Sequence, residues 1–308
     1  MRAEWIAGTV RGRLLLAHRL GDGPARELAA QTSFAEARRL LLASPYGRDL
    51  GAVDRLAAAQ RTVAAIALWH LRILAGWLPP DGAVLLRALA AWYELVNIEH
   101  HVAWIVTGTS PPPPFELGGL ATVWSRVEPT RSLAEVRSVL AASPWGEPAS
   151  EEPLGLHLAL RAGWAHRVID HAPEAHAWVQ AAVALFVTRE LLLDGHNDTR
   201  RLLALPGVRA SWLSAPSVPE LAAHLPEGVR WALRGVERPE ELWRAELAWW
   251  QRVEDDAETL MRRPLGSPAL VIGAAALLAV DAQRAGRALA VAALGGAERT
   301  RELSDAAI

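Results

Sequence analysis

Two stretches, "SFAEARRLLLASPYG" (33–47) and "SLAEVRSVLAASPWG" (132–146), constrain this chain more than anything else in it. Each opens on a serine with a glutamate three residues later, the spacing of a helix-capping box, and leaves through Ser-Pro-aromatic-Gly. Ser44 and Ser143 are 99 positions apart. Helix length, cap and exit turn agreeing at one offset mark an internal duplication. A duplicated helical unit of that size predicts an all-α protein.

A polar row joins the same register. In "ELVNIEHH" (94–101), Glu94, Asn97 and His101 fall at i, i+3 and i+7, one face of a helix. About 100 residues on stand Asp194, Asn197 and Arg201, again acid, amide and base. A third, fainter echo is Asp281 with Arg284, where Ala288 takes the last place. Gly108, Gly207 and Gly295 follow the three acids at similar distances and are placed to end their helices. "TGTSPPPPFELGG" (107–119) looks like a stiff connector, and "LSAPSVPEL" (213–221) marks a second junction. The expectation is three helical repeats, 1–112, 113–212 and 213–308.

Composition supports this and removes several functions. Hydrophobic residues make up 51% of the 308, mostly Ala and Leu, so strong helix formers can fill a large core. The 14 tryptophans suit gaps where helices cross, with one or two left to anchor a partner. A net charge of −2 offers no bulk field for nucleic acid, although all 32 basic residues are arginine. The absence of cysteine excludes disulfides, thiolate metal sites and thiol nucleophiles. Arg11, Arg13, His18 and Arg19 interrupt the early apolar residues, so no signal peptide is expected. "PALVIGAAALLAV" (268–280) stops at Asp281, short of a membrane span. The expectation is a soluble, cytoplasmic chain that meets membranes only from the side.

Catalytic signatures are wanting. No nucleophile elbow, phosphate loop or dinucleotide fingerprint is present; "LGDG" (20–23) and "LGGL" (117–120) read as turns. A metal on Glu94 and His101 would need further ligands at zinc-like spacing, such as HExxH, and none appears. A catalytic set is normally built once, whereas this row recurs with its third member changing from His to Arg to Ala. A structural seam or an interface explains the row better, and no cofactor or metal is expected. His166, His171 and His176 rotate onto different faces and read as surface residues; His70, in an apolar run, reads as core or groove. The acidic "VEDDAETL" (253–260) reads as a solvated helix face.

The order of these pieces resembles a known family. "AGTVRGRLLLAHRL", the "L..ASPYG" helix exit, "FELGGLATVW" (115–124) and the closing "PLGSPALVIGAAALLAVDAQRAGRALAVAALGG" (264–296) are similar to the C/d family of V-type and A-type rotary ATPase components. The resemblance implies three similar helical domains about a pseudo-threefold axis, shaped as a funnel. It implies a non-catalytic adaptor between the central-stalk subunits and the membrane rotor ring during ion transport. In the last repeat Asp281-Ala-Gln-Arg284 departs from the family's acid-x-x-Asn pattern. The implied seam or stalk interface is Glu94, Asn97, His101, Asp194, Asn197, Arg201, Asp281 and Arg284. The alternatives are an all-α metal-dependent enzyme using Glu94 and His101, and a helical scaffold for an unrelated partner.

Overall fold

A computed structural model of the chain describes residues 3–51, 53–196 and 198–296. All regular structure among them is helical, as expected of an all-α protein. The helices are α1 (Ile6–Leu15), α2 (Asp22–Ala29), α3 (Phe34–Leu42), α4 (Leu56–Ala75), α5 (Pro80–Thr107), α6 (Trp124–Val127) and α7 (Leu133–Ala141). They continue with α8 (Pro153–His171), α9 (His176–Thr188), α10 (Thr199–Leu202), α11 (Ala210–Leu213), α12 (Val218–His224), α13 (Leu242–Met261) and α14 (Pro268–Ala293).

The punctuation does what its chemistry requires. Ser33 and Ser132 accept hydrogen bonds from the amides of Glu36 and Glu135, capping α3 and α7. The glutamates reach one residue further back than a standard box, to the amides of Thr32 and Arg131. Ser44 and Ser143 then repeat one turn: each hydroxyl donates to a carbonyl three residues back and accepts the amide of Tyr46 or Trp145. A third serine-capped helix, α12, has Ser217 accepting from Glu220. It lies 85 residues beyond Ser132, off the 99-residue offset, which is why the duplication did not reveal it. Pro80 and Pro268 start the two longest helices, where the missing N–H costs nothing.

Contacts group the chain into two compact units. This is a division by packing, whereas 1–112, 113–212 and 213–308 divide the chain by repeat. The first unit combines 1–78 with 257–308. Its core joins Leu28 of α2, Leu41 of α3, Tyr46, Leu50 and Val63 of α4 to Ala285, Leu289 and Ala292 of α14. α14 packs on α4, α2, α1 and α3, so the end of the chain completes a core begun at its start. The second unit is the continuous stretch 79–256. Its core gathers Leu95 and Ile98 of α5, Val127 of α6, Val136 and Leu140 of α7, Trp145, and Leu156 and Leu160 of α8. Full burial of one such leucine contributes roughly 1.5–3 kcal/mol.

Among the described residues, α14 alone is long and apolar enough to cross a bilayer by length and composition. Its residues are largely buried in the first unit, with Asp281 at 1% exposure, so it is built as a core helix.

Candidate functional site

The polar row of α5 is internal. Glu94 is fully buried, and its Oε1 accepts the amides of Thr122, Val123 and Trp124 at 2.7, 2.7 and 2.9 Å. Trp145 Nε1 donates to Oε2 at 3.0 Å. The carboxylate therefore sits at the start of α6, where the N–H groups are free and the helix dipole is positive. The Arg167 guanidinium lies over the Trp145 ring at 4.7 Å and donates to Thr122 Oγ1. Burial pulls the Arg167 pKa below its usual value, against the opposing pull of Glu94. Gly163 of α8 lets the Ser-Pro-Trp-Gly turn lie this close: a Cβ there would stand 2.7 Å from the Trp145 carbonyl oxygen.

Asn97 binds the backbone of Phe115 twice, accepting its N–H at 2.7 Å and donating to its C=O at 2.9 Å. The Pro-rich segment is thus tied back onto α5, beyond its expected part as a connector. His101 Nε2 lies 2.9 Å from Thr130 Oγ1. Thr130 spends its own proton on the Val127 carbonyl, so the imidazole must be the donor. Burial lowers the His101 pKa, with the Arg131 charge acting in the same sense.

Asp281 of α14 repeats the arrangement of Glu94. It is 1% exposed and accepts the amides of Leu20 at 2.7 Å and Gly21 at 2.9 Å, and the Tyr46 hydroxyl at 2.7 Å. Gly21 is the N-cap of α2, so again an acid closes the start of a short helix and accepts a hydrogen bond from the aromatic of a Ser-Pro-aromatic-Gly turn. The local Asp281–Arg284 pair available from sequence gives way to this. Arg284 turns to Asp22, 3.8 Å away.

The second row is placed differently. Asp194 lies just past a π-helical turn (Arg189–Leu193) and is exposed. Gly195, at φ 70°, then reverses the chain in a conformation that side chains with a Cβ resist. Arg201 stands on the separate helix α10, bridged to Asp198 at 3.0 Å and Glu152 at 2.8 Å. Asn197 lies outside the described residues. Asp194 and Arg201 therefore share no helix face, because Gly195 and the Asp198 cap divide them. By helix position the counterpart of the buried acids is Glu190. Glu94 stands fourteen residues beyond the first residue of α5 and Asp281 thirteen beyond that of α14; Glu190, in the π-turn that continues α9, stands fourteen beyond the first residue of α9. Glu190 is 5% exposed. Its signal was an acid in a greasy run, masked by Asp194 four residues on.

Glu94 and His101 do not converge as metal ligands, since one is saturated by four donors and the other holds Thr130. Beside them the Pro-rich segment and α5 border a cavity of about 250 Å³, with Trp104, Trp124, Glu128 and Arg131 in its wall. That is below the usual range of small-molecule sites, about 300–1,000 Å³. The Arg131 guanidinium lies over the Trp104 ring at 5.3 Å. His166, His171 and His176 are exposed, in keeping with surface positions. His70 is 6% exposed, and its ring stacks on His18 at 5.3 Å between centroids. Compared with known proteins, the sequence matches no family model and no curated protein.

Proposed function

We propose that the protein is a non-catalytic adaptor of a V-type or A-type rotary ATPase, seating the central stalk on the membrane rotor ring. The observation that carries this reading is the repeated carboxylate latch. Glu94 joins α5 to the 122–145 segment, and Asp281 joins α14 to the 20–46 segment, each through backbone amides and the polar hydrogen of one aromatic side chain. A series of repeats whose last helix completes the first is what a cyclic set of modules requires. The three-module, pseudo-threefold funnel implied by the resemblance is part of this proposal. So is a place at the cytoplasmic face of the membrane, peripheral to it through the complex.

Two further features support it. The acids of the repeated row at 94 and 281 are consumed in holding the fold, which leaves them unsuited to acid–base chemistry. Densely packed Ala/Leu helices are also poorly compressible, as a part that passes on torque must be. The metal-dependent enzyme on Glu94 and His101 loses its motivation once both side chains are engaged.

The test is native-level affinity purification followed by mass spectrometry. The adaptor reading expects central-stalk and rotor-ring proteins in stoichiometric amounts. Recovery without them, or with an unrelated partner in their place, overturns it in favour of the scaffold reading.

A further inference from the structure

Glu190 occupies the helix position at which Glu94 and Asp281 are met by amides, yet it faces imidazoles. His196 Nδ1 lies 2.9 Å from its Oε2, and His157 Nε2 lies 3.8 Å from its Oε1. Glu190, Asp194 and His196 can each present a ligand atom within 4.8 Å of the others.

His157 is oriented from behind. Its Nδ1 stands 2.7 Å from Glu99 Oε1, and Arg161 also pairs with that carboxylate. Burial alone would push the Glu99 carboxyl up, but the His157 hydrogen bond and the Arg161 charge outweigh it and hold it low. The two ring nitrogens are thereby assigned by geometry: Nδ1 faces Glu99 and Nε2 faces Glu190. A carboxylate behind a histidine, fixing its tautomer, is the usual support of a metal-binding imidazole.

The backbone also fits. The Asp194 amide bonds the Arg189 carbonyl, five residues back, in the widened turn. The His196 amide bonds the Glu190 carbonyl at 2.7 Å, which folds the imidazole back over the acid. Such π-turns cost regular helix hydrogen bonding and recur at functional sites.

We propose that Glu190, Asp194 and His196 form a binding site for one divalent transition-metal ion, and that His157, with Glu99 as its positioning residue, joins it from the Glu190 side. Mixed imidazole and carboxylate ligation favours zinc, cobalt(II) or nickel over magnesium and calcium, which prefer oxygen alone. Ligand atoms around a tetrahedral ion with 2.0–2.1 Å bonds stand about 3.3 Å apart. The distances of 2.9 and 3.8 Å lie either side of that value. The site departs from the sequence expectation of no metal, and it stands independently of the adaptor reading.

The experiment is titration of the chelator-treated full chain with Co²⁺, followed by calorimetry and by visible absorption, and repeated with Zn²⁺. One ion per chain is expected, with proton release on binding. Asp194→Asn and His196→Ala change exposed positions that folding tolerates, and each should weaken binding at least tenfold. Glu99→Gln, which touches no ion, should weaken it about 10–100-fold. His171→Ala should leave it unchanged. No saturable binding overturns the site. Binding undiminished by both Asp194→Asn and His196→Ala overturns it as well, and an unaltered Glu99→Gln affinity removes Glu99 from its role.

Discussion

Buried carboxylates are tolerated in this protein because each finds donors that cost little to supply. Backbone amides at a helix start lack partners anyway, and an aromatic N–H or O–H carries its own apolar packing. Tyr46 and Trp145 are thus matched parts, and their replacements should behave alike. Tyr46→Phe and Trp145→Phe each remove one donor to a buried anion, Asp281 or Glu94. A hydrogen bond to a charged group contributes about 1.5–3 kcal/mol, so urea unfolding should show a loss of that order for each. A near-zero change in either would mean that the aromatic is only packing. His70 gives a different residue-scale effect. Burial first, then the charges of His18 and Arg11, lower its pKa from 6.5 to about 4. Its Nδ1 finds no hydrogen-bond partner among the described residues. Between pH 6.5 and 4 the unfolded chain binds the proton that the folded chain refuses, so stability falls as the pH is lowered through that window and is whole above it. His70→Leu should flatten the stability profile between those pH values, measured by thermal unfolding. An unchanged slope would clear His70 of the effect.

At the scale of elements, legibility depended on whether a signal was local. The caps of α3 and α7, the Ser-Pro-aromatic-Gly exits and the proline starts follow from neighbours in sequence, and the sequence shows them plainly. The buried row of α5 was visible as polar residues in an apolar helix. What each member holds was not, because the amides of Thr122–Trp124 lie nearly thirty residues away and no residue type announces a free backbone N–H. Asp281 was harder still, since its partners Leu20, Gly21 and Tyr46 stand at the other end of the chain. Asp194 drew attention because its register was regular. Glu190 stayed hidden because a π-turn and the Gly195 reversal break that register, and no period-3.6 reading anticipates either. His157 was overlooked because one histidine in an apolar helix carries no pattern of its own.

For the whole molecule, the two units differ in how the chain supplies them. Residues 79–256 form one uninterrupted stretch with its own core. The other unit needs both ends, since Ala285, Leu289 and Ala292 complete the packing of Leu28, Leu41 and Val63. A fragment of residues 79–256 is therefore expected to keep its helical circular dichroism and protected amides in hydrogen exchange. A fragment of residues 1–78 is expected to show neither until a peptide carrying α14 is added. Independent folding of 1–78 would mean that α14 only covers a core already formed.

Synthesis from the N-terminus makes the two-ended unit a problem of timing. Tyr46 leaves the ribosome some 235 residues before Asp281. At 5–20 residues per second that is a wait on the order of ten to fifty seconds. During it the early Leu- and Ala-rich segments have no apolar cover from the last helix, while the middle of the chain can already fold. Nascent chains stalled before residue 268 should accordingly hold chaperones at their first eighty residues, and release them once the final helix emerges.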